Sequence, residues 1–170
     1  LGQRPVRMDL WGNATPLLRP RSQGSDELVA LPIDDLPIFL IDVDANLAQM
    51  RASVGFDRPL IESSFKPHLR RIRFANPYKQ AISGSLKLRA PAGWTISPPT
   101  FMFSLNPNEV FERDLTIELP YNTVAGPKTV HAEFQIQADR AASFSVPLVL
   151  NVGLSDVGMQ TLALRDGEDI

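Results

Sequence analysis

The feature that most constrains the fold is a strict alternation of apolar and polar residues near the C-terminal end of the chain. Every second residue is apolar across residues 130–138, and the residues between them are polar. A period of two buries one side of an extended strand and leaves the other side in water. The pattern returns at 144–152, and the intervening residues 139–142 predict a hairpin loop. We therefore expect two neighbouring antiparallel strands here.

Shorter segments upstream carry the same alternation. Apolar residues share one face across 111–119 and 86–90, and a third such strand is expected at 71–74. The alternation of 49–56 predicts another strand, and no segment shows a convincing helical period. With residues 95–103 counted, about seven short strands with intervening turns predict an all-β fold. We expect an immunoglobulin-like antiparallel β-sandwich with additional N-terminal strands.

The first 47 residues follow a different pattern. A short strand at 8–13 runs into a Gly-Asn turn, and a second strand is expected at 28–31. Residues 38–41 form a continuous apolar run, which predicts burial on both faces. Three short strands cannot form an independent core, so this piece must pack on the sandwich or on sequence outside the chain.

The composition excludes several classes of protein and site. There is no cysteine, so the chain has no disulfide, thiolate metal site or cysteine nucleophile. Its net charge of −2 lacks the basic excess expected of a nucleic-acid-binding protein. No apolar stretch reaches the roughly 18 to 20 residues that span a bilayer. The chain starts at Leu1 rather than Met and ends in a charged stretch, so we expect a piece of a longer protein.

A series of motifs resembles a known family. The motifs are a strand ending in Asn76, the run Pro91-Ala92-Gly93-Trp94, and the turns at 105–109, 118–120 and 125–127. Together they resemble the Ig-like domain found beside the NPCBM sugar-binding module in bacterial glycosidases and surface proteins. The resemblance covers about residues 66–153. Asn108 stands where the family usually has Gly, and because Asn tolerates a left-handed conformation we expect the turn to survive.

The N-terminal piece is similar to the closing strands of the small β-domain that follows the barrel in many glycoside hydrolases. The similarity lies in residues 10–17 and 36–40. The two resemblances imply closing strands of an upstream β-domain plus a linker at 1–47, an Ig-like sandwich at 48–154, and a linker toward a downstream domain at 155–170. They imply a secreted bacterial protein, extracellular or in the cell envelope, in which neighbouring domains are the partners of this module.

Carboxylates are the first candidate functional residues, because glycoside hydrolysis needs two of them across the sugar. The pair at 34–35 lies between prolines, and adjacent residues on an extended chain point opposite ways, so a solvated turn is favoured. The run 42–46 begins like a calcium loop, but Leu47 and Ser53 occupy the positions where such a loop needs Gly and Glu. We therefore expect no catalytic pair, no metal site and no cofactor.

Histidines and arginines give no stronger case for chemistry. His68 and His131 lie on separate strands without an acid or nucleophile nearby, and His131 has the outward parity of its strand. Arg70, Arg71 and Arg73 form a basic strand that the family does not require. They predict either a docking face for an acidic partner or, as the favoured interpretation, solvent-face charges that prevent edge-to-edge aggregation.

Aromatic side chains are the remaining candidates, since sugar-binding modules stack pyranose rings on exposed Trp or Tyr. Besides Trp11, the candidates for a carbohydrate site are Tyr78, Trp94 and Tyr121. Tyr78 and Tyr121 follow prolines in loops, which predicts exposure, whereas the family resemblance implies that Trp94 covers one end of the core. Two hypotheses stay open: a non-catalytic module that spaces or orients neighbouring domains, and a module that binds polysaccharide through exposed aromatics. We expect no enzymatic activity, because no acid and base groups converge.

Overall fold

The computed structural model describes residues 6–17, 36–62, 65–138 and 140–153. These parts of the chain form one helix and twelve strands, in the following order: β1 (Val6–Met8), β2 (Ala14–Pro16), β3 (Phe39–Ile41), α1 (Ala45–Ser53), β4 (Gly55–Phe56), β5 (Leu60–Ile61), β6 (His68–Ala75), β7 (Ile82–Arg89), β8 (Thr95–Ser97), β9 (Thr100–Leu105), β10 (Val110–Glu118), β11 (Gly126–Gln137) and β12 (Ala141–Val152).

Most strands belong to the two sheets of a sandwich. One sheet has the order β4-β6-β10-β8, and the other has the order β5-β12-β11-β7-β9. The pairing is antiparallel throughout, apart from the short parallel contact of β5 with β12. The chain passes from one sheet to the other at Ser97-Pro98-Pro99, between β8 and β9. The predicted all-β immunoglobulin-like sandwich is confirmed.

Phenylalanine rings fill the space between the two sheets. Phe74 of β6 stacks on Phe111 of β10 at a centroid distance of 4.7 Å. Across the interface it meets Phe103 at 5.0 Å and Phe134 at 5.1 Å, both edge to face. Phe134 in turn stacks on Phe144 at 4.9 Å. Such pairs contribute about 0.5–1.5 kcal/mol each beyond the burial of their surface. All five rings are buried, so the alternation in the sequence does describe the core.

The strand predicted at 49–56 is wrong for residues 49–53, which belong to α1, and within this segment Gly55 and Phe56 form the short strand β4. The side chain of Asp44 caps the helix by accepting a hydrogen bond from the Leu47 amide at 2.9 Å. The helix interior consists mainly of Ala, Leu, Gln, Met and Arg, all good helix formers. Leu47 packs on the core and Met50 is fully buried, and this three-residue spacing is the helical signal. The period-two alternation of 49–56 was therefore fortuitous.

Helix α1 closes the side of the sandwich where β6 and β12 lie. Ser53 accepts a hydrogen bond from the Ala75 amide of β6 at 3.0 Å, and Arg51 donates to the Ser145 carbonyl of β12 at 3.1 Å. Further along the same side, the buried guanidinium of Arg70 donates to the carbonyls of Leu60 in β5 and Leu69 in β6. These contacts tie the two sheets together where no strand joins them.

The N-terminal strands form a separate small sheet with the order β2-β1-β3. The apolar run at 38–41 was expected to be buried on both faces, and this prediction is wrong. Phe39, Leu40 and Ile41 are all exposed in the described part of the chain. The three strands have only three residues each, too few to build a core of their own. The strand predicted at 28–31 lies outside the described residues.

Asn76 joins two turns at one end of the sandwich. Its fully buried side-chain nitrogen donates to the carbonyls of Gln80, Leu105 and Asn106 at 2.9–3.1 Å, and its oxygen accepts from the Tyr78 amide at 2.9 Å. A side-chain amide is the group that supplies donors and an acceptor together. The strand-ending Asn of the sequence motif is therefore a structural connector.

We predict that Asn76→Ala lowers the free energy of unfolding by about 2–4 kcal/mol, because buried carbonyls and one amide would lose their partner. Asn76→Asp should also be strongly destabilising, since a carboxylate has no hydrogen to donate. Urea denaturation followed by tryptophan fluorescence measures both. Asn122→Ala, at an exposed asparagine, is the control and should change the value by less than about 0.5 kcal/mol. Equal stability of Asn76→Ala and Asn122→Ala would contradict this account.

Asn108 adopts the left-handed conformation that the sequence predicts for the turn between β9 and β10. Its φ is 62°, and its amide donates to the Asn76 carbonyl at 2.9 Å. Glu109 closes the turn by accepting from the Asn106 amide at 2.8 Å. The departure from the family Gly is thus accommodated by Asn.

Replacing Asn108 by Ala and by Gly separates conformation from side-chain contacts. We expect Asn108→Ala to cost about 1 kcal/mol, because a residue with a Cβ and no polar side chain resists positive φ. Asn108→Gly should leave the unfolding free energy within about 0.5 kcal/mol of the wild type. Thermal denaturation monitored by circular dichroism tests the pair, and a Gly variant as unstable as the Ala variant would overturn the conformational explanation.

Candidate functional site

The two ends of the sandwich differ in character. We call the end with the loops 76–81 and 106–109 the turn end, because Asn76 holds these loops together. We call the opposite end the apolar end. It comprises the loops 90–94 and 119–125, the start of β6, and the last residues of β12. The candidate aromatic residues are distributed over both ends.

Tyr78 lies at the turn end and is buried, so its predicted exposure is wrong. Its amide donates to the side chain of Asn76 two residues earlier, which folds the segment after Pro77 inward. Trp94 and Tyr121 lie at the apolar end. The structure therefore does not bring the three predicted sugar-binding residues together, and Tyr78 is separated from the other two by the length of the sandwich.

The motif at 91–94 forms a tight turn at the apolar end. The Trp94 amide donates to the Pro91 carbonyl at 3.1 Å, and Gly93 has a φ of +81°. Glycine is the residue that reaches this angle without strain at the third position of such a turn. A Cβ on Gly93 would also lie 3.0 Å from the ring of Pro120. Trp94 is half-buried and packs against the core, so it covers one end of the core as the family resemblance implies.

Tyr121 projects from a second turn beside the first. Thr123 closes this turn by donating to the Pro120 carbonyl through its amide at 3.0 Å and its hydroxyl at 2.6 Å. Tyr121 is 80% exposed, as the sequence predicted for this loop. It is the one exposed member of the three candidates.

The apolar end carries further exposed hydrophobic side chains, which sequence reasoning did not find. We define the apolar-end patch by five exposed hydrophobic side chains with exposures between 47% and 80%: Leu60, Phe65, Leu69, Tyr121 and Val124. Leu69 has the outward parity of β6, the same parity as Arg71 and Arg73. Exposed apolar groups that cluster in this way are typical of interaction surfaces.

The three arginines of β6 do not share one face. Arg71 and Arg73 are exposed, as expected, and the side chain of Arg71 pairs with Asp114 across the sheet at 2.7 Å. Arg70 points inward and is buried, which corrects its assignment to a solvent-face basic strand. Burial, followed by the like charge of Arg58, lowers the pKa of the Arg70 guanidinium. Arg70 ties the sheets together and offers no charge to an acidic partner.

Asp57 holds the outer edge of β6. Its carboxylate accepts a hydrogen bond from the Arg71 amide at 2.9 Å, while its own amide donates to the Arg71 carbonyl at 3.0 Å. Burial by itself raises the pKa of Asp57, but hydrogen bonds from the amides of Arg71 and Arg58 and the charge of Arg58 outweigh it and lower the pKa. The hydrogen bond from Arg71 likewise lowers the pKa of Asp114.

The remaining candidates for chemistry are dispersed. His68 is buried in β6, and His131, for which an exposed position was expected, is half-buried in β11. Asp44 of the supposed calcium loop is the N-cap of α1. Within the described residues, no three His, Asp or Glu side chains are grouped as a metal site would require. The pair 34–35 lies outside the described residues.

We predict that Asp57→Asn lowers stability at pH 7 by less than about 1 kcal/mol, because the carboxylate is partly exposed and screened. A carboxyl whose folded pKa is depressed stabilises the fold above its unfolded pKa of 3.8, and the contribution is lost as the pH falls through the folded value. The difference between wild type and variant should therefore shrink below pH 3.8 in urea titrations. Gln49→Ala, at an exposed residue without a titratable group, should show no such trend. A difference for Asp57→Asn that stays constant between pH 7 and pH 2.5 would refute this explanation.

Comparison with known protein families identifies the central part of the chain. Residues 72–137 match the family described as the NPCBM-associated, NEW3 domain of alpha-galactosidase. The resemblance drawn from the sequence motifs is thus confirmed over these residues. A comparison with curated protein sequences gives no significant match.

Several solved structures are similar in shape. A PapD-like domain of human CEP192 is 11% identical and has a TM-score of 0.38, with 59% of this chain and 84% of that chain covered. The Escherichia coli chaperone DraB is 9% identical over 60% of this chain and 56% of its own, with a TM-score of 0.38. SSP-19, an MSP-domain protein-like family member of Caenorhabditis elegans, is 12% identical over 58% and 97%, with a TM-score of 0.37. In the described part of this chain, no helix is long and apolar enough to cross a bilayer.

Proposed function

Because residues 72–137 match the NPCBM-associated NEW3 domain family, we propose that the chain is a non-catalytic accessory module of a larger, secreted carbohydrate-active protein. Its role is to space or orient neighbouring domains. The family description names alpha-galactosidase, and this supports a glycosidase as the protein that contains the module. A bacterial source and an extracellular or cell-envelope location are part of the same proposal.

The apolar-end patch is the observation that carries this proposal. Its side chains stand beside the point where β12 ends at Val152 and near the start of β6. A domain that follows in the chain would meet this end first. The turn end is different, because the described residues of its loops 76–81 and 106–109 include no large exposed hydrophobic side chain, and Val110 follows them at the start of β10. Burial of apolar surface is the usual basis of stable contacts between domains.

The small N-terminal sheet supports a second contact. The pairing register places Val6, Met8, Phe39 and Ile41 on one face, and that face continues into Ala14 and Pro16 of β2. This all-apolar face fits the proposal that residues 1–47 complete an upstream β-domain and link it to the sandwich at 48–154. Residues 155–170 would then lead toward a downstream domain.

A spacer must also be rigid, and the interior of the sandwich supplies this property. The stacked phenylalanine rings connect both sheets, and Arg70 and α1 close their open side. Close packing of this kind resists deformation, so domains attached at the two termini would be held at a defined separation.

Replacing three patch residues together, as Phe65→Ser/Tyr121→Ser/Val124→Ser, tests the interface. In the protein that contains this chain, we expect the melting transition of the module to fall by about 2–4 °C for each kcal/mol by which the substitutions weaken the interface between domains. Scanning calorimetry should resolve it from the transition of the neighbouring domain, and limited proteolysis should cut the junction faster.

Two comparisons make this test specific. Val110→Ser changes an exposed apolar residue at the turn end and should leave both the calorimetry and the proteolysis pattern unchanged. The triple variant of the isolated 170-residue chain should keep its own melting temperature within a few degrees. If the triple variant behaves like Val110→Ser in the whole protein, the patch is not a domain interface.

The alternative function, carbohydrate binding through exposed aromatics, now rests on fewer residues. Its support is the exposed ring of Tyr121 beside the half-buried Trp94. Tyr78 is buried and gives it no support.

A further inference from the structure

A shallow groove of about 460 Å³ crosses the outer face of the five-stranded sheet. It runs over β9, β7, β11 and β12 close to the turn end, and it does not include any residue of the apolar-end patch. Its volume lies within the range typical of small-ligand sites, although its open shape favours weak binding.

The pairing register arranges the groove side chains in two rows across the sheet. The first row consists of Met102, Ser85, Gln135 and Ser143 on four adjacent strands. The second consists of Ser83, Gln137 and Ala141, and Ser104, opposite Ser83 on β9, lies just outside the lining. With neighbouring strands about 4.8 Å apart, the first row extends about 14 Å, which accommodates a short oligosaccharide.

None of the described residues that line the groove is ionisable, in contrast to the surfaces around it. On the same sheet, the next row places Lys87 opposite Glu133, and Glu133 pairs diagonally with Arg89 at 3.5 Å. On the opposite sheet, Arg71 pairs with Asp114. A phosphorylated, sulfated or otherwise charged ligand would find no counter-charge among the described lining residues, so this lining suits an uncharged partner.

The polar side chains of the groove are available to a ligand. Ser83, Ser85, Ser143, Gln135 and Gln137 make no side-chain hydrogen bond to any described part of the chain. Each hydroxyl both donates and accepts, and each amide offers two hydrogens and one acceptor oxygen. A ligand rich in hydroxyl groups matches this combination, because sugar hydroxyls also donate and accept.

Gly84 has the inward parity of β7 and permits a close approach of the strands beneath the groove. A Cβ at this position would overlap the carbonyl oxygen of Gln135 on the neighbouring strand. Strands β7 and β11 therefore approach each other here in a way that only glycine permits. The ligand would lie against backbone between the flanking serines and glutamines.

We propose that this groove is a binding site for neutral carbohydrate. The hydrogen-bonding side chains would contact the sugar hydroxyls, and Met102 would cover an apolar sugar face at the end of one row. The choice of carbohydrate over other neutral polyhydroxyl ligands rests on the proposed function, which places the module in a carbohydrate-active protein. The site itself differs from the aromatic one at Tyr121 and Trp94.

Nuclear magnetic resonance titration of the ¹⁵N-labelled chain tests the site. The probes are neutral oligosaccharides from galactomannan, xylan, cellulose and starch, with oligogalacturonate as the acidic comparison. We expect millimolar binding of at least one neutral probe. Shift changes should concentrate at residues 83–85, 102–104, 135–137 and 141–143, and the acidic probe should bind at least tenfold more weakly.

Variants then assign the contacts. The double change Gln135→Ala/Gln137→Ala should weaken binding about tenfold, because two hydrogen-bonding amides are removed. Gln49→Ala removes the same type of side chain from the exposed surface of α1 and should bind like the wild type. Tyr121→Ala should also bind like the wild type, since this ring lies at the other end of the sandwich.

Four results would overturn the proposal: no shift with any neutral probe at tens of millimolar, equal binding by the double variant, shifts centred on Tyr121 and Trp94, or shifts that appear on concentrating the protein without sugar. The last would indicate that a second copy occupies the groove. The role of the apolar-end patch as a domain interface is tested separately, by calorimetry in the containing protein.

Discussion

The contact of Phe74 with rings from both sheets is the interaction on which the structure depends. Phe74 belongs to β6, and it stacks on a neighbour in its own sheet while its edge contacts meet two rings of the other sheet. The facing strands must keep their registers for these rings to meet, because a shift by one residue would turn every core side chain outward. The same parity determines which side chains point outward, and these outward side chains form the charged rows and the neutral groove.

The far edge of β6 shows how the sandwich protects itself from unwanted pairing. The Ser53 hydroxyl accepts a hydrogen bond from the Ala75 amide, and β4 pairs with Arg73 and Ile72. The Asp57 carboxylate accepts from the Arg71 amide, and the Asp57 amide donates to the Arg71 carbonyl. Arg58 donates to the carbonyl of Leu69. An uncovered strand edge is a template for aggregation. Because this side is covered by the chain itself, a neighbouring domain is better placed at the apolar end than along β6.

The local sequence pattern predicted the core strands well, but it missed the helix, the burial of two polar residues and the groove. Alternation identified the buried faces of β10, β11 and β12, and the residues of the motif at 91–94 sufficed to place a turn there. The helix was missed because a period of two outweighed the cap at Asp44 and the spacing of Leu47 and Met50. Tyr78 and Arg70 were misplaced because distant partners bury them, and a polar residue type gives no local sign of such burial. The groove was missed because its two rows exist only once four strands are in register.

The outer edge of β12 explains why the binding surfaces that we propose consist of side chains rather than of a strand edge. Asn151 of β12 donates its amide outward to the Pro59 carbonyl, so residues of the same parity in β12 point their amides away from β11. Pro147 has this parity and offers no hydrogen to an added strand. Arg51 already occupies the nearby carbonyl of Ser145. Strand addition along this part of β12 is thus disfavoured at two successive outward positions, whereas the apolar-end patch and the groove leave the backbone ladder intact.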